Sequence, residues 1–179
     1  WDDDMDISMF DEDYKKLEKI LVRMDDEDYF YQCIKSDPEH VNVFGKFRKK
    51  NDPVFAADQR SKYFKYQGVG LDVFSLEKSN RFAAHMAKFL YQNLIHPTQY
   101  IKNRFWRHFA IKSVQLLNFG LLIPICRLLG RINHKGQYRY KLGSGFYQCG
   151  FSAEDILPLR TMEFEGIEFP VPGNTDAYL

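Results

Sequence analysis

A chain of 179 residues has the size of one domain and is long enough to bury a full core. Its 45% hydrophobic and 16% aromatic content is that of a globular protein and argues against disorder. A formal net charge of +1 gives no general attraction to nucleic acid, but the charge is unevenly placed. About half of the acidic residues fall between positions 2 and 28, whereas most Lys and Arg lie between positions 40 and 141. Cys33, Cys126 and Cys149 form no CxxC pair and leave an odd count, so neither a zinc site nor a disulfide framework is expected, and a reducing, cytoplasmic setting fits best.

The chain opens Trp1-Asp2-Asp3-Asp4-Met5-Asp6-Ile7. In a strand, period-2 alternation puts Asp4 and Asp6 on one face, about 7 Å apart along the chain, and Met5 and Ile7 on the other. Two carboxylates so placed repel each other unless a cation lies between them, and oxygen donors of this kind suit Mg²⁺ or Mn²⁺ acting on phosphate substrates. Asp2 is a weaker candidate ligand, and Asp3 points the other way. Asp11 then caps a helix over residues 11–24, in which Tyr14, Leu17, Leu21 and Met24 recur at helical spacing. The run Tyr29-Phe30-Tyr31-Gln32-Cys33-Ile34 reads as a strand ending at Ser36-Asp37-Pro38.

Residues 41–48 alternate as a third strand carrying Lys46 and Arg48 on one face, followed by a turn over residues 49–53. Lys46 and Arg48 are candidate ligands for phosphate oxygens, or else edge charges that deter aggregation. Arg60 lies in an ambiguous basic and aromatic stretch over residues 54–66 and is a further substrate-binding candidate; no nucleic-acid motif accompanies it. Gly68 and Gly70 precede the apolar strand Leu71-Asp72-Val73-Phe74, where Asp72 is the odd residue out. A carboxylate inside an apolar strand is costly to bury unless paired or bound to a metal.

Phe82, Met86, Phe89, Leu90 and Leu94 define the apolar face of a helix over residues 80–95. Two more helices are expected over residues 98–112 and 113–129, with Pro124 kinking or breaking the last. Residues 114–130 are interrupted by Asn118, Pro124 and Arg127 and read as a poor membrane span. The Arg and Lys residues beside Phe105, Trp106 and Phe109 fit either docking on an anionic bilayer surface or a helical subdomain with an aromatic core and solvated cations. His85, His96, His108 and His134 have no metal spacing and read as surface or turn residues. From Gly136 the chain reads as irregular, until Met162 to Pro170 suggest a hairpin turning at Glu165-Gly166.

Three separated segments, in order, resemble the LicD family of phosphocholine and alditol-phosphate transferases, to which the fukutin group is related. They are Trp1 to Ile7 with Phe10-Asp11-Glu12-Asp13-Tyr14, then Gly68-Val69-Gly70-Leu71-Asp72-Val73-Phe74-Ser75-Leu76, then Phe164-Glu165-Gly166 with Val171-Pro172 and Tyr178-Leu179. The resemblance implies a single α/β domain of nucleotidyltransferase type over residues 1–179, a small mixed sheet with packed helices and an added helical region at about 80–130. It implies transfer of a phosphocholine-like or alditol-phosphate group from a CDP-linked donor such as CDP-choline to a sugar hydroxyl of a cell-surface glycan (lipopolysaccharide, teichoic acid or capsule). Asp4, Asp6 and Asp72 would be catalytic and, with Asp2, would hold Mg²⁺ or Mn²⁺. A lipid-linked acceptor would place the protein at the inner face of the membrane, with peripheral membrane contact. The family also carries a Gly-Ser/Thr loop before the acidic strand and a Tyr-Gly segment after the last Tyr-Leu; with neither in the sequence, an excised domain is expected.

Two other functions remain open from the residues. A DxD glycosyltransferase holds a sugar-nucleotide diphosphate through a metal in the same way, and a non-catalytic interaction domain could present the acidic strand as a surface. An EF-hand loop is excluded, since Ile7 and Asp13 stand where Gly and Glu are required.

Overall fold

The computed structural model describes residues 5–53, 61–144 and 149–178. Its centre is a mixed sheet. Strand β1 (Asp6–Phe10) runs straight into helix α1 (Asp11–Leu21), and β2 (Tyr29–Gln32), β3 (Gly45–Pro53) and β4 (Gly68–Lys78) complete the path in the order β1-β4-β3-β2. β1 lies parallel to β4, while β3 is antiparallel to both β4 and β2. A short strand, β5 (Tyr138–Tyr140), pairs antiparallel with the far end of β4. The chain is therefore mixed α/β, as the sequence implies.

Period-2 alternation decides what each sheet face does. Val73 and Tyr31 are buried on the face covered by α1, where Tyr14 is also buried and accepts a hydrogen bond from the Tyr31 hydroxyl at 3.2 Å. Gly45 is required there: a Cβ at this position would sit 2.0 Å from the Tyr31 hydroxyl oxygen. The helix is amphipathic as expected, but it ends at Leu21, and its cap is Phe10 rather than Asp11. With no loop between strand and helix, Asp11 falls inside the first turn. There its carboxylate accepts from Ser75 Oγ at 3.0 Å and pairs with Lys15 at 2.5 Å.

β2 stops at Gln32 instead of Ile34 and β4 extends over Gly68–Lys78 beyond the expected residues 71–74, and both bounds of β3 also differ from the sequence reading. Residues 41–44 are not strand, and residues 49–53, expected as a turn, continue β3 with a register shift between Arg48 and Pro53. The difference at residues 41–44 follows from burial: Val41 and Phe44 are buried by tertiary packing, so their alternation reported depth and not strand pairing.

The helical region begins with α2 (Arg81–Leu90), capped by the Asn80 side chain accepting from Ala83 N. A wide π turn (Tyr91–Ile95) and a 3-10 turn (His96–Tyr100) follow. The two helices expected next are one continuous helix over residues 104–130, made of α3 (Arg104–Leu117), a π turn (Asn118–Leu122) and α4 (Ile123–Gly130). Pro124 does not break it. The widened turn just before Pro124 accommodates the missing N–H and the ring, which would otherwise clash in an α-helical ladder.

The expected apolar face of α2 is not the one that is buried. Ala83, Ala84 and Ala87 pack against Ile123, Cys126 and Leu142, whereas Phe82 and Phe89 are each 59% exposed. Small side chains let the two helices approach closely. The aromatic-core reading is likewise overturned, because Phe105, Trp106 and Phe109 are exposed. The chain ends in α5 (Ala153–Ile156), the hairpin β6 (Arg160–Phe164) and β7 (Ile167–Val171), and α6 (Thr175–Tyr178). Glu165 and Gly166 turn the hairpin with positive φ at both positions, as a two-residue I′ turn needs.

Candidate active site

Strand register brings the site together. Asp6 on β1 is the register partner of Asp72 on β4, Asp72 of Lys46 on β3, and Lys46 of Gln32 on β2. Partners opposite one another across neighbouring strands, about 4.8 Å apart, share a sheet face. Four polar side chains thus form one row across the sheet on the face away from α1. Asp6 is exposed at the edge; Asp72 and Lys46 are about a quarter exposed, with side chains 21% and 27% accessible, and their charges meet at 2.9 Å.

Gly70 makes room for that row. It is the register partner of Arg48, two residues before Asp72 on the same face, and a Cβ there would lie 2.6 Å from Lys46 Cγ and 2.7 Å from Cδ. The Lys46 stem crosses Gly70 to reach Asp72. The Gly70-Leu71-Asp72 spacing therefore has a physical reason in this chain.

Arg48, the second candidate phosphate ligand of this strand, has its guanidinium bonded to neighbouring protein groups. Its Nε donates to Gln32 Oε1 at 2.6 Å and its Nη1 to the Gly68 carbonyl at 2.7 Å, and the guanidinium lies 5.6 Å from the Phe64 ring centre. Gln32 is itself fully buried and donates to Asp37 at 2.8 Å. Burial pushes the Arg48 guanidinium below its ordinary value, with Asp72 and Asp37 pulling the other way. Asp2, Asp4 and Arg60 lie outside the described residues.

Sequence reasoning missed several neighbours. Gln32 gives no signal in a strand-like run of aromatics, yet it links Arg48 to Asp37. Tyr140, in a stretch read as irregular, hydrogen-bonds to Tyr178 and Ser8; burial, then Tyr178, pushes its hydroxyl well above the usual range, with a smaller contribution from Asp6. Ser8 is two residues along from Asp6, so this tyrosine closes the same face. His40 was not singled out. It is buried, its Nε2 donates to the Phe44 carbonyl at 2.9 Å, and burial pushes its pKa down to about 4. Its place is structural.

Asp11, Glu12 and Asp13 lie just past the opposite end of β1 from Asp6, a strand about 13 Å long by its rise per residue. A cleft of about 580 Å³ opens at that end, lined among others by Asp11, Glu77, Lys78, Arg127 and His134. It is separate from the Asp6–Asp72 row.

Mg²⁺ and Mn²⁺ take oxygen donors, and Mg²⁺ commonly uses one or two carboxylates with the remaining positions given to water and substrate phosphate. Asp6 and Asp72, in register on adjacent strands, fit that demand. Among the described residues no group of three or more His, Cys, Asp and Glu could hold a metal ion, so a third protein ligand is not drawn from them. Comparison of the chain with family models, with curated proteins and with solved structures finds no match.

Proposed function

We propose that this chain is a metal-dependent phosphotransferase of the LicD type, moving a phosphocholine-like or alditol-phosphate group from a CDP-linked donor to a sugar hydroxyl of a cell-surface glycan. The observation that carries the reading is the register of Asp6 with Asp72 on adjacent parallel strands, with Lys46 beside them. Asp6 and Asp72, with Asp4 and Asp2 as the sequence suggests, would hold Mg²⁺ or Mn²⁺, which when bound neutralises a diphosphate and polarises its oxygens. Lys46 would leave Asp72 to meet a donor phosphate oxygen, since a multiply charged phosphate competes well for an ammonium. Arg48, with two donors committed to Gln32 and Gly68, would act more by fixing the strand than by gripping phosphate. Asp72, released from Lys46, would either bind an ion or accept the proton of the attacking hydroxyl, while cytidine monophosphate departs as the leaving group on the opposite side of the phosphorus, and substrate positioning in line would supply much of the rate.

The closed Lys46–Asp72 pair favours one second reading, a non-catalytic domain whose acidic row is a static ion-paired surface. Calorimetric titration of CDP-choline in the presence of Mn²⁺ separates the two. The transferase reading expects metal-dependent binding that Asp72→Asn weakens by about tenfold or more, as loss of a charged ligand contact implies. Nucleotide binding that ignores both the metal and Asp72, or none at all, supports the static surface.

A further inference from the structure

Between Glu77 and Glu154 the sequence contains no Asp or Glu and twelve Lys and Arg. This span includes the 27-residue helix of residues 104–130, whose most apolar 18-residue window has a mean hydropathy of 1.6 and is only 28% buried. By length and composition it could cross a membrane; its attachments show a different use. Arg107 Nε donates to Glu39 at 2.8 Å, Gln115 Nε2 to the His40 carbonyl at 3.1 Å, and Arg127 Nε to Glu77 at 3.0 Å. These three bonds tie one face of the helix, near its beginning, middle and end, to the sheet half of the molecule. The buried stripe runs Arg107, Ile111, Gln115, Asn118, then Ile123 and Cys126. The five-residue step from Asn118 to Ile123 is one that an α-helix would throw off the stripe, and the π turn absorbs the extra residue. The helix is therefore held lengthwise along the body, and its other face is left outward.

That outward face carries Phe105 (70% exposed), Phe109, Leu116 (77%), Leu121, Ile125 and Leu128 (63%). Trp106 is exposed at its start, and Lys102, Arg104, Lys112 and Arg131 are exposed along it. Isolated apolar residues on a surface need no explanation, but an apolar helix face whose own charged residues are all cations does, even though Arg127 and Arg131 at its end share a cleft with Asp11 and Glu77. A protein partner of ordinary chemistry would match the apolar stripe without requiring that every charge on the helix be positive. A second copy would bring the same positive charge against itself. An anionic lipid surface meets both features: acyl chains receive the apolar face, headgroups receive the Lys and Arg, and tryptophan sits at the interface.

We propose that the outer face of this helix docks the protein, in plane, on an anionic bilayer. The docking is independent of the metal and nucleotide reading, and it would bring a soluble donor site to a lipid-linked acceptor.

The test is sedimentation of the purified chain with extruded vesicles of phosphatidylcholine alone or mixed with phosphatidylglycerol, without metal or nucleotide. The expected result is binding to the mixed vesicles that falls steeply with salt, with a blue shift of Trp106 emission in a Trp1→Phe background. A Phe105→Ser, Phe109→Ser, Leu116→Ser triple variant, exposed at all three positions, keeps its circular dichroism and loses about tenfold or more in vesicle affinity. A folded chain that ignores both vesicle types would overturn the proposal, as would unchanged binding of the triple variant. Concentration-dependent self-association that the triple variant abolishes, with no vesicle binding, would assign the face to a second copy. Retention on vesicles after an alkaline carbonate wash would assign a spanning helix and equally overturn docking in plane.

Discussion

In the sheet half, Val73, Tyr14 and Tyr31 turn large side chains inward against one another, and the charged row of Asp6, Asp72 and Lys46 stands on the opposite face. In the helical half, α2 turns Ala83, Ala84 and Ala87 inward and leaves Phe82 and Phe89 outside, while the helix of residues 104–130 buries Arg107, Gln115 and Asn118 and exposes leucine and phenylalanine. The first half turns large apolar and aromatic side chains inward and stands a charged row on its other face. The second does much of the reverse, which makes sense if its outer face meets something other than water. The contrast teaches that hydrophobic periodicity finds an amphipathic helix but does not say which of its two neighbours, core or bilayer, takes the apolar side.

The largest expected effect comes at the joint between the halves. Arg107 is 1% exposed, paired with Glu39, and its guanidinium carbon lies 3.3 Å from the Tyr63 ring centre. Arg107→Met leaves Glu39 as a charge without its partner and should lower stability by about 3–5 kcal/mol in urea denaturation. If it costs less than about 1 kcal/mol, the helix is not tied to the body as described.

His40 sharpens the same joint through pH, since the Gln115 side chain bonds its carbonyl. Burial lowers the folded pKa from 6.5 to about 4, with Asp37 favouring the proton and Arg48 and Lys46 opposing it. The unfolded chain therefore binds more protons than the folded one between those values. Stability is fully present above pH 6.5 and is lost as pH falls toward 4, by roughly 3 kcal/mol if the whole shift is realised. Urea midpoints at pH 7 and pH 4.5 should show this loss, and His40→Gln should flatten it.

A smaller effect is expected at Gly70. Gly70→Ala forces the Lys46 stem aside and should destabilise by about 1–3 kcal/mol as an overpacked contact. It should also disturb the Lys46–Asp72 pair, visible as a changed Lys46 ammonium environment by NMR. The smallest effect marks the helical half: Leu116→Ser should change stability by no more than about 0.5 kcal/mol, whereas Ile111→Ser, five residues earlier on the buried stripe, should be severely destabilising.

Much of the sheet was readable in the sequence because alternation and an out-of-place Asp72 each report a local constraint. The β1 and β4 strands, the amphipathic α1 and the Glu165-Gly166 hairpin follow from period, composition and turn chemistry. What was not readable depends on contacts between distant segments. Residues 41–44 alternate because a loop is buried, β5 exists because it pairs with the end of β4, and the π turn before Pro124 preserves a stripe that only the folded body defines. At the site, Asp72 announces itself, while Gln32 and Tyr140 have no local signature and are recruited by register and by packing.

The central claim is that Asp6 and Asp72 act as one oxygen-donor pair. Mn²⁺ binding, followed by loss of the free-ion electron paramagnetic resonance signal, should be measured on the unchanged chain, on Asp6→Asn, on Asp72→Asn and on the double variant. Each single substitution is expected to weaken binding by about tenfold or more, and the double variant to be little worse than either single one, because removing one half of a shared site already disables it. Binding that survives Asp72→Asn unchanged, or losses that simply add, would contradict the account.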